Sequence, residues 1–230
     1  MNFEDKIFVG VTSHCGRHKP NNWKKQFLEI KKLGIKTISL FPTTLNFENR
    51  KEFYKELEKS GVEKIPLVHI RSEDFTEDEL NYFITKYKTK WFNCHEKDCD
   101  VVYKRFPKHK HLILLETGHS DNLNEKIKPE EVGGICADIS HFMKSKEDNN
   151  TEYEYIRKNF DKIKANHLNG FDSFRKDTHH LKHKHQLDYI KTLPKKLFSD
   201  IIALEMDNSI TAQLKFKKYI VKLLNTKFNS

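Results

Sequence analysis

The sequence predicts an α/β protein built as a single (β/α)₈ TIM barrel over residues 1–230. Short apolar segments alternate with amphipathic segments eight times, which is typical of parallel strands joined by right-handed crossover helices. Eight such units match a closed barrel, a fold that commonly occupies about 250 residues as one domain. No stretch rich in glycine, proline or one residue type marks a linker. An open, doubly wound sheet is the alternative architecture.

The predicted strands are apolar runs of four to six residues. Runs of this length, bounded by charged or turn-forming residues, are too short for helices and indicate strands buried on both faces. The strands are expected at residues 7–11, 37–41, 65–70, 91–94, 112–115, 134–137, 164–168 and 201–204.

Amphipathic segments predict the helices. The segment at residues 22–33 ends at Gly34, a residue that commonly terminates helices, and the segment at 76–87 begins with a Thr-Glu-Asp-Glu capping box. The connections at residues 99–110 and 120–132 have room for only a short helix, so a compact barrel with shortened helices around units four and five is expected. Further helices are predicted at residues 50–59, 151–163 and 211–224.

Composition favours a soluble, intracellular, cytoplasmic protein with an anionic partner. The formal net charge is +9, and a positive field favours nucleic acid, phosphorylated sugars or an anionic surface; a lysine-rich composition with no such partner is the alternative. The four cysteines form no Cys-x-x-Cys pair, which is typical of reduced cytosolic thiols. The N-terminal segment is charged where a signal peptide is apolar, and no run approaches the roughly 20 apolar residues of a membrane span. The oligomeric state stays open.

Residues that bind metals end six consecutive predicted strands, from the third to the eighth. Asp138 and His141 taken alone would be interpreted as a helix-capping carboxylate and a surface imidazole. The repetition indicates more, because the C-terminal strand ends of a barrel converge on one mouth. Several carboxylates packed there repel one another unless they are protonated or bridged by cations. The six strand-end residues are His69, His95, Glu116, Asp138, His167 and Glu205.

Mixed imidazole and carboxylate ligands predict divalent transition metals, Zn²⁺ first and Mn²⁺ or Fe²⁺ as alternatives, because Mg²⁺ and Ca²⁺ prefer oxygen ligands. Other residues near the predicted mouth are candidates for contacts with substrate, with loop residues of no role as the alternative. Arginine suits a phosphate because it can bind two of its oxygens at once. The candidates are His14, Arg71, His119 and Arg175.

Seven segments resemble, in order, the metal-binding strand ends of the endonuclease IV family, within the xylose-isomerase-like barrel superfamily of sugar phosphate isomerases and epimerases. ICADISHF, NHLN and DTHH are the most specific, because the sugar isomerases of the superfamily share only the Glu, Asp, His and Glu of strands five to eight. The chain departs from the family at residues 181–185, which replace its Gly-Glu-Gly, and in its shorter connections. The segments are VHIRSED, FNCHE, LLETGH, GGICADISHF, NHLN, KDTHH and ALEMD.

The resemblance implies a hydrolase that cuts a phosphodiester beside an abasic or otherwise damaged site in DNA, as in DNA repair. It implies up to three metals, with zinc expected, and gives Glu116 and Glu205 the role of holding and orienting the attacking group. The implied ligand sets are His69, His95 and Glu116; Glu116, Asp138, His167 and Glu205; and His141, Asp177 and His179.

Three alternatives to the hydrolase stay open. A sugar or sugar-phosphate isomerase or epimerase would hold one metal with the four-residue set, and its partner would be a phosphorylated sugar in place of DNA. An iron-dependent oxidative enzyme of the same superfamily is the second alternative. A barrel that binds a ligand without catalysis is the third, and the complete set of acidic and imidazole residues argues against it.

Overall fold

Eight parallel strands close into a barrel, which confirms the predicted (β/α)₈ fold. The computed structural model describes residues 2–13, 22–117, 129–171 and 177–228, with the backbone alone at residues 22 and 177. Around the barrel the strands follow chain order, and the first strand pairs with the last. They are β1 (Ile7–Thr12), β2 (Ser39–Phe41), β3 (Leu67–His69), β4 (Trp91–His95), β5 (Ile113–Thr117), β6 (Ile135–Asp138), β7 (Ile163–Leu168) and β8 (Ile202–Leu204).

The helices lie outside this barrel. The predicted capping box is confirmed, because Thr76 Oγ1 accepts a hydrogen bond from the Glu79 amide at 3.2 Å. One predicted helix begins earlier than expected because the side chain of Asn46 caps it, accepting from the Asn49 amide at 3.0 Å. The helices are α1 (Asn22–Leu33), α2 (Phe47–Lys59), α3 (Glu77–Tyr87), α4 (Cys99–Arg105), α5 (Ile139–Asp148), α6 (Thr151–Lys158) and α7 (Ile210–Phe228).

Two connections differ from the sequence prediction. Helix α5 is not among the predicted helices; it begins directly after β6 because Asp138 caps it. Helix α6 ends before the predicted end at residue 163 and gives way to a 3₁₀ turn, Phe160–Lys162. The thin helical ring is confirmed at unit four, where α4 has seven residues, and the described part of unit five holds one 3₁₀ turn, Pro129–Glu131.

The connection from β7 to β8 contains no α-helix in its described residues. It holds a two-stranded antiparallel hairpin followed by 3₁₀ helices, because the sequence there lacks a sustained apolar repeat of helical period. Within the residues described, no helix combines the length and the apolar character needed to cross a membrane. The hairpin pairs Gly170–Phe171 with Asp177–Thr178, and the 3₁₀ helices are Lys184–Thr192 and Lys195–Leu197.

Side chains alternate along each strand between the barrel interior and the helical layer. The larger apolar cluster fills the space between strands and helices and takes residues such as Val68, Leu115 and Ala137. A smaller apolar cluster fills the barrel interior and contains the strand residues that alternate with these. A side chain two positions after an interior residue on the same strand therefore also points inward. The interior residues are Phe41, Leu67, Leu114, Cys136, Ala165, Ile201 and Ala203.

Arg50 on α2 is fully buried and joins two loops at the C-terminal end of the barrel to α3. Its guanidinium donates to both carboxylate oxygens of Glu79, at 2.7 and 3.0 Å. It also donates to Asp74 Oδ1 at 2.7 Å and to the Leu45 carbonyl at 2.8 Å. A buried charge is tolerated only with such pairing, so this network fixes the loop that follows β3.

Replacing this arginine is expected to destabilise the fold. Arg50→Ala should lower the free energy of unfolding by about 3–5 kcal/mol, because Glu79 and Asp74 lose their counter-charge. Urea unfolding followed by circular dichroism measures the change. The control is Arg157→Ala, which removes an exposed ion pair with Glu154 and should cost at most about 1 kcal/mol. Equal losses in the two variants would contradict a structural role for the buried network.

Candidate metal centre

The predicted strand-end ligands form one layer at the mouth of the barrel. Each of five interior residues is followed, two positions later in the chain, by a predicted ligand. Because side chains alternate along a strand, these ligands face the same interior one step nearer the mouth. The pairs are Leu67 with His69, Leu114 with Glu116, Cys136 with Asp138, Ala165 with His167, and Ala203 with Glu205.

The first ligand group consists of His69, His95 and Glu116, whose potential ligand atoms lie within 4.8 Å of one another. His69 Nε2 is 2.7 Å from Glu116 Oε2, and the centroids of the His69 and His95 rings are 4.7 Å apart. His95 and Glu116 are also direct partners in the β4–β5 ladder. Two imidazoles and one carboxylate therefore converge on one side of the mouth.

The second ligand group consists of Glu116, Asp138, His167 and Glu205, again with ligand atoms within 4.8 Å of one another. His167 Nδ1 is 3.1 Å from Glu116 Oε1 and 3.3 Å from Glu205 Oε2. Asp138 and His167 are partners in the β6–β7 ladder. Three carboxylates share this space, and their mutual repulsion favours a cation among them. Glu116 belongs to both groups.

Asp138 also caps helix α5. Its Oδ1 accepts hydrogen bonds from the His141 amide at 3.0 Å and from Ser140 Oγ at 2.8 Å, and its Oδ2 accepts from Asn169 Nδ2 at 3.3 Å. The capping role and membership of the second group are therefore compatible. Sequence reasoning missed Ser140 and Asn169; the signal for Asn169 is its position two residues after His167, which continues the inward alternation.

The orientation of the imidazoles suits metal binding. His69 Nδ1 is 3.0 Å from the Ile70 carbonyl oxygen, and His179 Nδ1 is 3.1 Å from the Glu205 carbonyl oxygen. A ring N–H that donates to a carbonyl leaves the lone pair on Nε2, which is the usual arrangement of a metal-binding histidine. For His69 that Nε2 is the atom that faces Glu116.

The layer also contains buried polar atoms that lack partners. Within the described residues, Asn93 Oδ1 and Asn169 Oδ1 make no hydrogen bond, although both residues are 0% exposed. Zinc bonds of about 2.0–2.2 Å place two ligand atoms at most about 4.4 Å apart, so a small closure of either group would surround an ion. Donor chemistry, spacing and unsatisfied oxygens all fit a divalent transition metal.

Neighbouring charges shift two pKa values in the second group. Burial lowers the pKa of His167, but Cys136, Glu116 and Glu205 around it outweigh burial and raise that pKa well above its usual value. Burial raises the pKa of Glu205, whereas His167 and His179 lower it to about 2. The His167 imidazole and the Glu205 carboxylate thus each favour the charged form of the other.

The predicted third ligand set remains a prediction. Among the residues that the structure describes, His141 and His179 lie outside both groups. His141 occupies the first turn of α5, and His179 lies beside the backbone of Glu205. The side chain of Asp177, the remaining member, lies outside the described residues.

The candidate substrate contacts are mostly beyond the described ranges, which do not include His14, His119 or Arg175. Arg71 is described and half-buried, with its Nε 3.3 Å from both Glu73 Oε2 and Asp74 Oδ1. These carboxylates of its own loop offset part of its charge. A phosphate contact through Arg71 remains a prediction.

No protein-family model matches the chain, and no curated protein matches it at a significant level. Among solved structures, the chain is similar to an uncharacterised protein from Parabacteroides distasonis ATCC 8503, with 17% sequence identity and a TM-score of 0.51. The match covers 94% of this chain and 98% of that chain. A sugar phosphate isomerase/epimerase from the same organism matches with 11% identity, coverage of 96% and 93%, and a TM-score of 0.45. An AP endonuclease of family 2 from Brucella melitensis matches with 9% identity, coverage of 95% and 99%, and a TM-score of 0.48.

The closed eight-stranded parallel barrel is the fold that the sequence predicts, and the match with a TM-score of 0.51 is consistent with that fold. At these identities the similarity establishes the fold and does not separate a hydrolase from an isomerase.

Metal binding is expected to release protons. A metal that takes the His167 ring as a ligand competes with a proton, and the raised pKa of His167 strengthens that competition, so Zn²⁺ affinity should fall as the pH falls from about 8 to about 6. Calorimetric titration in buffers of different ionisation enthalpy measures the protons released. The exposed His185 serves as the control, and His185→Gln should leave the result unchanged. A binding heat independent of the buffer would contradict the assignment of His167.

Proposed function

We propose that the chain is a metal-dependent phosphodiester hydrolase with at least two metal ions held around Glu116. The observation that supports this proposal is that Glu116 belongs to both ligand groups. Its Oε2 faces His69 and its Oε1 faces His167, at 2.7 and 3.1 Å, which is the arrangement expected of a bridging carboxylate. Paired metals about 3.5–4 Å apart suit in-line displacement at phosphorus.

Bound divalent metals would polarise the phosphate and stabilise the charge that develops on the leaving oxygen. Glu116 and Glu205 flank the same nitrogen of His167, at 3.1 and 3.3 Å, so their carboxylates face one point in the mouth. On the side of the mouth that opens to solvent, these carboxylates would hold the attacking water and orient it toward phosphorus. The burial of Glu116 keeps bulk water away from the reacting groups.

The proposed substrate is DNA that contains an abasic or otherwise damaged site, with Zn²⁺ as the proposed metal. The substrate rests on the strand-end motifs that resemble endonuclease IV and on the net charge of +9. Cationic contacts to phosphates provide most of the affinity of proteins for DNA, so a basic surface supports a polyanionic substrate.

A sugar phosphate isomerase or epimerase with one metal is the second candidate. The second group supplies Glu116, Asp138, His167 and Glu205, and two carboxylates on either side of a substrate can transfer protons. This function leaves the first group without a role, although His69 Nε2 lies 2.7 Å from Glu116. That contact favours the hydrolase.

Cleavage of a duplex that contains one abasic site tests the proposal. The purified protein should cut the strand at that site, a chelator should stop the reaction, and added Zn²⁺ should restore it. Glu205→Gln should lower the rate at least about 100-fold, because it removes a carboxylate that orients the water. Glu63→Gln, an exposed carboxylate paired with Lys36, is the matched control and should retain full activity.

Metal content separates the two candidate functions. Glu205→Gln leaves the first group intact and should retain some metal, whereas Glu116→Gln removes the ligand shared by both groups and should retain less. Interconversion of a phosphorylated sugar by a protein with one metal per chain, without cleavage of DNA, would contradict the hydrolase and support the isomerase.

A further inference from the structure

The side-chain amide of Asn93 contacts the carboxylate that both ligand groups share. Asn93 Nδ2 donates to Glu116 Oε2 at 2.6 Å. The amide must present its NH₂ group here, because a carboxylate only accepts hydrogen bonds. Asn93 is 0% exposed and pairs with His69 in the β3–β4 ladder, so the contact lies inside the barrel, away from bulk water.

Two histidines also contact Glu116. His69 Nε2 approaches Oε2 at 2.7 Å, and His167 Nδ1 approaches Oε1 at 3.1 Å. A ring nitrogen that binds a metal no longer donates to Glu116. The amide of Asn93 has no such competing role, because its NH₂ group has no lone pair available for a metal. Its hydrogen bond to Glu116 can therefore persist when metals are bound.

The rest of the Asn93 side chain has no evident structural purpose. Its Oδ1 makes no hydrogen bond within the described residues, and a buried unsatisfied oxygen costs stability. Asn166, equally buried on β7, contrasts with it: its Nδ2 donates to two carbonyls and its Oδ1 accepts from the Ser199 amide at 2.7 Å. The side chain of Asn166 therefore satisfies backbone groups around it, whereas the side chain of Asn93 donates its hydrogen bond to Glu116.

We infer that Asn93 is a positioning residue that holds Glu116 in the orientation needed to bridge the two ligand groups, an inference that rests on the proposed metal centre. Asn93 acts through Glu116 and not on the reacting atoms. A hydrogen bond to a metal-ligating carboxylate fixes its plane, and the loss of such an outer contact typically lowers metal affinity by about 10- to 100-fold.

Titration with Co²⁺ tests the inference by affinity and by visible absorption, independently of activity. Asn93→Ala should bind Co²⁺ about 10- to 100-fold more weakly and shift its absorption bands, because Glu116 is free to rotate. Asn93→Ser retains a hydrogen-bond donor, so its affinity for Co²⁺ should lie between those of wild type and Asn93→Ala. This variant replaces the alanine variant in the test if Asn93→Ala does not fold. Asn166→Ala, whose side chain faces the helical layer, is the matched control and should lose stability without losing affinity.

The outcomes separate this inference from the proposed function. Wild-type affinity and spectrum in both Asn93 variants would overturn the positioning role while leaving the metal centre intact. Failure of the wild-type protein itself to bind Co²⁺ would overturn the metal centre and the inference together. Equal losses of affinity in Asn93→Ala and Asn166→Ala would show a general effect of destabilisation and would also overturn the positioning role.

Discussion

Glu116 is the residue around which the mouth of this barrel is arranged. Its carboxylate is 2% exposed, and its two oxygens face different imidazoles. A buried carboxylate must be compensated by donors or cations, since burial otherwise disfavours its charged form. Here donors on three strands supply compensation: His69 on β3, Asn93 on β4 and His167 on β7. The position of Glu116 therefore depends on strand register, and an error of one residue in β5 would turn it toward the helices.

A small number of residues fixes the position of Glu116 and the other strand-end side chains. Alternation along the strands places an apolar residue beneath each ligand, so the interior core ends where the polar layer begins. Asp138 serves both the cap of α5 and the second ligand group, which joins β6 to its helix without a connecting loop. On the opposite side, the buried Arg50 network fixes the loop after His69. Rigid supports on both sides favour a preorganised centre.

Local sequence patterns predicted the parts of the structure that local interactions determine. Apolar runs identify all eight strands, the capping box at Thr76 sets the start of α3, and the strand-end positions bring the six predicted ligands into one layer. The role of Asn93 could not be predicted, because it depends on a contact with Glu116 of the neighbouring strand that the linear sequence does not reveal. Helix α5 was not predicted, because its cap, Asp138, is also a residue that faces the mouth. The activity cannot be predicted from the second ligand group, because a hydrolase and an isomerase would share that group.

In the proposed function, Glu116 would be a ligand of two metals at once. X-ray absorption spectroscopy of the zinc-loaded protein, combined with elemental analysis, examines this role without an activity assay. At least two zinc ions per chain are expected, with a metal–metal distance of about 3.5–4 Å that disappears in Glu116→Gln. A single zinc per chain with no metal neighbour in the spectrum would rule out the shared ligand.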